Sequence, residues 1–509
     1  MNMKPKAIFK DYHPNQLFLL PPSLEELIPN NHPVFVVNQV IDSIEINPVI
    51  DTYKGGGTSS YHPRMLLKVL VYSYLCNIYS SRKIECALKE NIQFMWLSGM
   101  SQPDHNTINR FRSERLRNVL KNIFAEVVML LVESGHVSLK DVYLDGTKIE
   151  ANANRYSFVW GNAIKTNKNK LEQQLNDLWA YTQQIAKQEG ADFTPDDFTP
   201  ISPEKVKETI AKIDKVLKDK PVDKKIKQKL NYAKKHWPQN LEKYQQQESI
   251  LAGRNSFSKT DNDATFMRMK EDHMLNGQLK PGYNVQISTH DQYILSYSLH
   301  PNPTDTTTLS KHIELFYNLY GQYPKHLIAD AGYGSEENYM YCNRNKITPF
   351  IKYNYFDKEK KQQKKDPYSI EQLTYNKQED CFYCPMGHPM KRVGTKIRST
   401  DNGYKQYYFQ YQAESCLNCP LNGECHKQKG NRIISVNHNL FLLKQNIKEL
   451  LNSEKGLYYR KKRPVDVEPV FANIKQNKSF RRFMLRGKAK VEIEFGLLAL
   501  AHNLKKMAA

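Results

Sequence analysis

Apolar positions recur with a helical period through the first part of the chain, and from Pro33 to about Gly135 the spacing predicts an all-helical segment. Pro63 is placed to open one helix, and Asn106 to Glu133 carries Ile108, Phe111, Leu116, Leu120, Ile123, Val127 and Leu131 on one stripe. Asp104 and Asn106 are its N-cap candidates. The period then changes. The stretch LKDVYLDGTKIEANA (139 to 153) is a short apolar run ending at Asp145-Gly146, the composition of a strand leading into a turn. From about 160 to 255 the chain is rich in Lys and Gln and helical again, with Ser202-Pro203 opening a helix that repeats Val206, Ile210, Ile213 and Leu217. Strand patterns return at 282 to 289 and 292 to 299, around a turn at His290-Asp291. Asp305 is placed to cap the following helix, which carries Leu309, Ile313, Phe316 and Leu319. The segment KHLIADAGYGSEENY (325 to 339) reads as a buried strand ending at Asp330, a Gly-containing turn and a helix capped by Ser335. A further strand is expected at 347 to 353, and helices after about 440; no internal repeat is visible.

With two insertions set aside, the order is three strands, helix, strand, helix, strand, then C-terminal helices. That is the element order of a ribonuclease-H-like α/β domain. The expected fold class is α/β, with a ribonuclease-H-like mixed-sheet catalytic domain, an all-α N-terminal domain, a helical insertion and a zinc-ribbon-like Cys insertion. The expected boundaries are 1–137 for the helical N-terminal domain; 138–159, 256–375 and 431–509 for the catalytic domain; 160–255 for the helical insertion; and 376–430 for the Cys-rich insertion.

Composition narrows the partner. The 509 residues, 40% of them hydrophobic with 31 Tyr and 21 Phe, supply enough apolar material for several cores. The 74 Lys+Arg against 53 Asp+Glu leave a net charge of +21, which points to a polyanion, nucleic acid before an anionic membrane surface. No run approaches a membrane span and the N-terminus lacks an apolar signal core, so a cytoplasmic location without membrane association is expected. Residues 441 to 509 hold 16 Lys/Arg against six Asp/Glu. An acid in this stretch would lie on a polyanion-binding surface.

Asp145 and Asp330 each end an apolar strand, where open α/β sheets present catalytic groups. Singly, each also suits a turn. Because the inferred first and fourth strands are neighbours, the pair can converge on hard cations held by oxygen ligands. A third acid is then needed. Glu468 is the candidate, with Glu492 and Glu494 as competitors. Pro469 is expected to push Glu468 out of the helical region and place it at a helix entrance.

These pieces together resemble the bacterial insertion-sequence transposases of the DDE class, in the group with a Tyr-Arg-Glu-Lys signature. The matching segments are PDHNTINRFR, VYLDGTKIEANA, LIADAGYG, VEPVFANIK, FRRFMLRG and LLALAHNLKK, spread over nearly the whole chain. The resemblance implies Asp145, Asp330 and Glu468 as the triad, and Lys475, separated from that glutamate by a gap of six residues, as a contact to transposon-end phosphate. The signature's Tyr and Arg fall out of register, on Lys461 and Pro464, while Tyr459, Arg460 and Arg463 are the groups available. Arg460, Arg463, Arg481, Arg482 and Arg486, with Arg110 and Arg112 of the N-terminal domain, are the further DNA-binding candidates. The implied partners are double-stranded DNA, as terminal inverted repeats and target, and a second copy of the chain in a synaptic dimer on the bacterial nucleoid. The implied cofactors are two Mg²⁺ or Mn²⁺ ions about 3.5 to 4 Å apart, serving in-line displacement at phosphorus.

Cys381-x2-Cys384 and Cys416-x2-Cys419, followed by Cys425, have the spacing of paired zinc knuckles in a reducing compartment. Structural Zn²⁺ is expected, with reduced core cysteines or a redox pair as rivals and Cys425 as a possible ligand. Cys76, Cys86 and Cys342 sit in apolar patterns and read as core. Gly55-Gly56-Gly57 lacks a phosphate-loop lysine and reads as a plain loop. Tyr404, Tyr407, Tyr408, Phe409 and Tyr411 read as a strand, with base stacking as the other use. Two other functions stay open: a catalytically silent zinc-containing DNA-binding protein, and a nuclease that hydrolyses without joining.

Overall fold

The computed structural model describes residues 23–53, 60–188, 201–218, 220–269, 277–359 and 367–509. The Gly55–Gly57 loop lies outside the described residues. The chain divides into two compact units: described residues up to Val127 together with Gly496–Ala509, and Val128–Phe495. Among the described residues no helix is long and apolar enough to cross a membrane.

The first unit is helical, with Pro63 as the first residue of the helix Pro63–Leu75 and the Asp104 carboxylate accepting from Thr107 N at 2.8 Å to cap His105–Arg110. The long helix expected from Asn106 is interrupted. After Arg110 the chain makes a π-helical turn, Phe111–Arg115, and the α-helix resumes at Leu120–Glu133. All seven stripe residues remain buried. The turn, however, swings Arg112 inward to 3% exposure, where it donates to Tyr79 O at 2.7 Å and Tyr74 Oη at 3.3 Å. Arg110 stays exposed.

In the second unit a six-stranded sheet combines β1 (Asp141–Glu150), β2 (Thr265–Arg268), β3 (Leu279–His290), β4 (Tyr293–His300), β5 (His326–Ala329) and β6 (Thr348–Ile351). β1 is central, antiparallel to β3 and parallel to β5; β5 is parallel to β6, and β3 is antiparallel to both β2 and β4. The strand that carries Asp145 and the strand that leads to Asp330, β1 and β5, are thus neighbours. Leu144, Val285, Ile287, Leu295 and Leu327 are wholly buried, as expected of strands covered on both faces.

Two local expectations fail here. Asp145-Gly146 is not a turn, because β1 continues to Glu150 with Asp145 opposite Ile287 and Gly146 opposite Gln286. The antiparallel ladder with β3 overrides the local turn preference. The turn between β3 and β4 falls one residue later than expected, on Asp291 and Gln292, both left-handed at φ 47° and 64°.

The segment after β1 forms three helices, Gly161–Gln188, Pro203–Leu217 and Lys224–Leu251, around a core that includes Leu175, Val206, Ile210, Ile213, Leu217 and Leu241. Ser202 caps the second, accepting from Lys205 N at 3.2 Å. Each fully buried aliphatic side chain contributes about 1.5 to 3 kcal/mol, so this bundle has a core of its own. The Cys-rich segment forms a five-stranded antiparallel sheet that opens with Tyr375–Asn376 and continues with β7 (Cys381–Tyr383), β8 (Pro389–Ser399), β9 (Lys405–Ala413) and β10 (Ile433–Val436). The tyrosine-rich stretch is therefore strand β9. Helices His438–Asn452, Glu454–Ala472 and Lys488–Met507 follow. Cys342 is buried, but Cys86 is exposed and Cys76 half-buried, so the expected core placement holds for the first only.

Candidate active site

Parallel pairing of β1 with β5 covers only Asp141–Tyr143 against His326–Ile328. Beyond that point the two strands part, and each carries an aspartate into the gap: Asp145 on β1, 7% exposed, and Asp330 just past β5. Each carboxylate is fixed by a nearby backbone amide, Asp145 Oδ1 by Gly146 N at 2.8 Å and Asp330 Oδ1 by Gly332 N at 2.9 Å. The two meet at one guanidinium. Arg463 Nη2 lies 3.3 Å from Asp145 Oδ1 and 3.8 Å from Asp330 Oδ2.

A third carboxylate, Asp305, lies in the same crevice. It does not cap the following helix, whose N-cap is Thr308. Its Oδ1 instead accepts from Asn284 Nδ2 and Gln286 Nε2, both at 2.8 Å. A Cβ on Gly146 would meet this oxygen at 2.7 Å and collide with the Gln286 amide, and one on Gly332 would lie 3.0 Å from Asp330 Oδ1 and 3.8 Å from Asp305 Oδ2. The glycines following Asp145 and Asp330 thus let the three acids approach one another. Tyr333, fully buried, donates to Gln286 Oε1 beneath them. Burial first, then the charges of Asp305, Asp145 and Asp330, push its phenol far above the usual range, and Arg463 opposes this. No sequence pattern separated Asp305 from an ordinary cap. Only the fold brings it here.

Glu468 lies elsewhere on the helix that supplies Arg463. That helix runs unbroken from Glu454 to Ala472 with Pro464 and Pro469 inside it, so Glu468 is not at a helix entrance. The reason is tertiary. Pro469 has no N–H for the Val465 carbonyl four residues back, and Gln292 Nε2 donates to that carbonyl instead, at 3.1 Å. The same β3–β4 turn anchors Asp466, whose Oδ1 accepts from Thr289 Oγ1 at 2.6 Å and Gln292 N at 3.4 Å. Glu468 itself is exposed. Lys475, in the π-helical turn Asn473–Asn477, is 8% exposed.

The other basic candidates are largely engaged with backbone. Arg460 donates to Leu451 O at 3.1 Å, Arg481 to Lys475 O at 3.3 Å, Arg482 to Ala153 O at 3.2 Å and Arg486 to Asn152 O at 2.8 Å. Tyr459 is buried against His326 and Phe350. Of the competitors for third acid, Glu494 is fully buried and caps the 484–485 turn, accepting from Met484 N and Leu485 N at 3.0 Å. It is a structural group.

Asp466 gives a pH test of the helix anchor. Burial pushes its carboxyl above the usual range against the opposing hydrogen bonds from Thr289 and Gln292, and Oδ2 has no partner. With the folded value raised, the native state holds this proton where the unfolded chain has lost it. Its stabilising effect is full below the ordinary aspartate value of about 3.9 and is lost as pH rises through the folded value. Thermal melts of Asp466→Asn and the unmodified protein across this range should diverge, the variant losing less stability as pH rises. Parallel curves would contradict the assignment.

In the Cys-rich sheet, Cys384, Cys416, Cys419 and Cys425 line one cavity with His388, His426 and Arg432. Cys381 is not among them. It is buried in β7 with its thiol 3.6 Å from Glu379 Oε2, and burial and that carboxylate hold it above the usual thiol range. Among the described residues, no group of three or more His, Cys, Asp or Glu side chains is drawn together closely enough to hold a metal ion. The carboxylate crevice nevertheless has the donor set for one. Its oxygen-only acids already share a cation, Arg463, as a hard divalent ion would require.

Comparison with known families gives two matches. Residues 22–114 match a family described as a transposase domain, and residues 383–508 match one described as a transposase DDE domain. Glu468 and Arg463 fall within the second; Asp145, Asp305 and Asp330 lie between the two. No curated protein and no solved structure matches the chain.

Proposed function

Because the chain is an insertion-sequence DDE transposase, a nucleotidyl-transfer enzyme of a family that acts on DNA and generally uses divalent metal ions, we propose that it cuts at the ends of its own element and joins the released 3′-hydroxyl to target DNA. The observation that carries this reading is the convergence of Asp145 and Asp330 on Arg463 in the crevice where β1 and β5 part. The strand order, with β1 between β3 and β5, supports a ribonuclease-H-like catalytic domain.

Asp145 and Asp330 would hold Mg²⁺ or Mn²⁺, and Glu468 would complete the set from the helix that also carries Arg463. When bound, the ions would supply Lewis-acid activation of the attacking oxygen and charge stabilisation of the leaving one. Asp305, tied to two amides, is a positioning carboxylate. It aligns Gln286 and, through it, the Tyr333 floor beneath the metal-binding pair. Arg463 balances the charge of the two acids and holds them close together before a substrate phosphate enters, and it is then a donor to that phosphate. Arg481, Arg482 and Arg486, all exposed, would line the approach of double-stranded DNA, and Arg110, exposed on the helical N-terminal unit, would be a separate DNA contact; pairing two ends would require two copies of the chain.

The test is Mg²⁺-dependent cutting of a plasmid carrying the element's flanking inverted repeats. Cuts at the repeat boundaries followed by joined products are expected. Binding without cutting would instead favour a silent DNA-binding protein, and cutting without joining a nuclease. Glu468→Gln should remove cutting, whereas Asp305→Asn should leave cutting measurable but raise its Mg²⁺ requirement. The reverse result would make Asp305 the third acid.

A further inference from the structure

Outside the carboxylate crevice, the chain's most concentrated unused chemistry is the cavity lined by Cys384, Cys416, Cys419 and Cys425. We propose that these four thiols, which line one cavity without being drawn to ligand distance, and not Cys381, close onto one structural Zn²⁺, with Arg432 as the buried counter-charge that fixes its position.

The ligand set follows from how the backbone presents each cysteine. Cys384 leaves β7 into a tight turn in which Cys384 N donates to His388 O and Gly387 N donates to Cys384 O, both at 2.8 Å. Gly387 adopts φ 81° there. Cys416 and Cys419 flank a second turn, with Asn418 at φ 60° and Cys419 N donating to Cys416 O at 3.4 Å. Cys425 follows a third reversal at Gly423, φ 88°. Three reversals thus bring four thiols to one cavity from segments about 30 residues apart in the chain, and two thiols on one short turn are a usual way to hold a tetrahedral ion. Cys381 sits within a strand, paired opposite Asn376 and Lys391, and its side chain does not line the cavity.

Arg432 is the independent observation. It is 7% exposed, and among the described residues no carboxylate lies within ion-pair distance of it. A buried guanidinium without a counter-charge is expensive. Its Nη2 donates to the Tyr368 carbonyl, and its other contacts are to sulfur: its Nη1 lies 2.9 Å from Cys425 Sγ and its backbone N donates to Cys416 Sγ at 3.4 Å. Four thiolates around Zn²⁺ carry a net charge of about −2, which supplies the missing negative charge and accepts these N–H groups. On binding, each thiol gives its proton to solvent and each sulfur its electron pair to zinc; no redox change occurs. The cluster also closes the open end of the sheet core, where Cys384 and Cys416 pack against the buried residues Phe382, Met390, Tyr411 and Ile434.

The test uses the full chain purified without added metal. Elemental analysis should find about one zinc per chain. Replacing zinc with Co²⁺ should give the visible absorption of a tetrahedral thiolate site. Cys416→Ser, Cys419→Ser, Cys384→Ser and Cys425→Ser should each lose the metal, Cys381→Ser should keep it, and Arg432→Gln should weaken zinc binding about 10- to 100-fold. Metal retained in Cys425→Ser but lost in Cys381→Ser would overturn the ligand set. A metal-free chain with no Co²⁺ spectrum, or a free-thiol count short by a pair, would overturn the site and leave structural cysteines or a redox pair. None of these readouts depends on DNA cleavage, so the proposal stands or falls apart from the transposase reading.

Discussion

Asp145→Asn and Asp330→Asn should each lower Mg²⁺-dependent cutting at the element ends by about 10³-fold, the loss expected when several kcal/mol of metal-borne charge stabilisation is removed. Binding to the repeats should be retained. The expectation rests on where the charge goes. Each carboxylate faces Arg463, and each is fixed by a backbone amide that the Asn side-chain oxygen can still accept, so the fold of the crevice survives while its negative charge falls. Thermal stability should therefore change little, and a gel-based cleavage assay beside a binding assay separates the two effects. A variant that cuts normally would remove that aspartate from the site. A variant that neither cuts nor binds, with a lowered melting temperature, would show that the acids hold the fold together instead.

The second large effect concerns Glu336, in the first turn of the helix Glu336–Arg344 that follows Asp330. It is 3% exposed, and its two oxygens accept from Tyr404 Oη at 3.3 Å, Gln406 Nε2 at 3.1 Å, Asn437 Nδ2 at 2.6 Å and Asn439 Nδ2 at 2.7 Å. The neighbouring Glu337 accepts from Thr400 Oγ1 at 2.9 Å and Asn402 Nδ2 at 3.1 Å. These two acids fasten the β8–β9 hairpin and the start of helix His438–Asn452 to the segment that carries Asp330. Glu336→Ala strands four donors, of which Asn437 is buried, and should destabilise the protein by about 3 kcal/mol. Amide exchange should rise first at 404–406 and 437–439. Loss of stability spread evenly over the chain, or none at all, would show that the carboxylate does not join these segments.

Both expectations depend on features that differ in how far the chain alone announces them. The stripe from Ile108 to Leu131, the caps at Asp104, Ser202 and Ser335, and the strands around Asp145 and Asp330 follow from period and capping chemistry, which act over one or two turns and can be read locally. The two aspartates were legible for the same reason: an apolar run ending in an acid is a local pattern, and so is a pair of closely spaced cysteines. The basic C-terminal stretch is equally plain in the composition.

The remainder was decided by partners far away in the chain. The Asp145-Gly146 pair looks like a turn until β3 pairs alongside it, and Asp305 looks like a helix cap until Asn284 and Gln286 claim its oxygen. Pro469 should place Glu468 at a helix entrance, yet Gln292 supplies the donor it lacks, so Glu468 rides inside the helix and Arg463 reaches the aspartates. A π-helical turn, invisible in the apolar stripe because Phe111 and Leu116 stay buried through it, rotates Arg112 away from solvent. Likewise the spacing of the cysteines gives equal standing to Cys381 and Cys384, and only the alternation of β7 separates a thiol in the strand from one on the turn. Sequence alone thus determined the elements, the basic surface and the acids worth testing. Tertiary structure decided which side chains meet, because hydrogen-bond satisfaction and burial are settled between segments that the chain brings together only on folding.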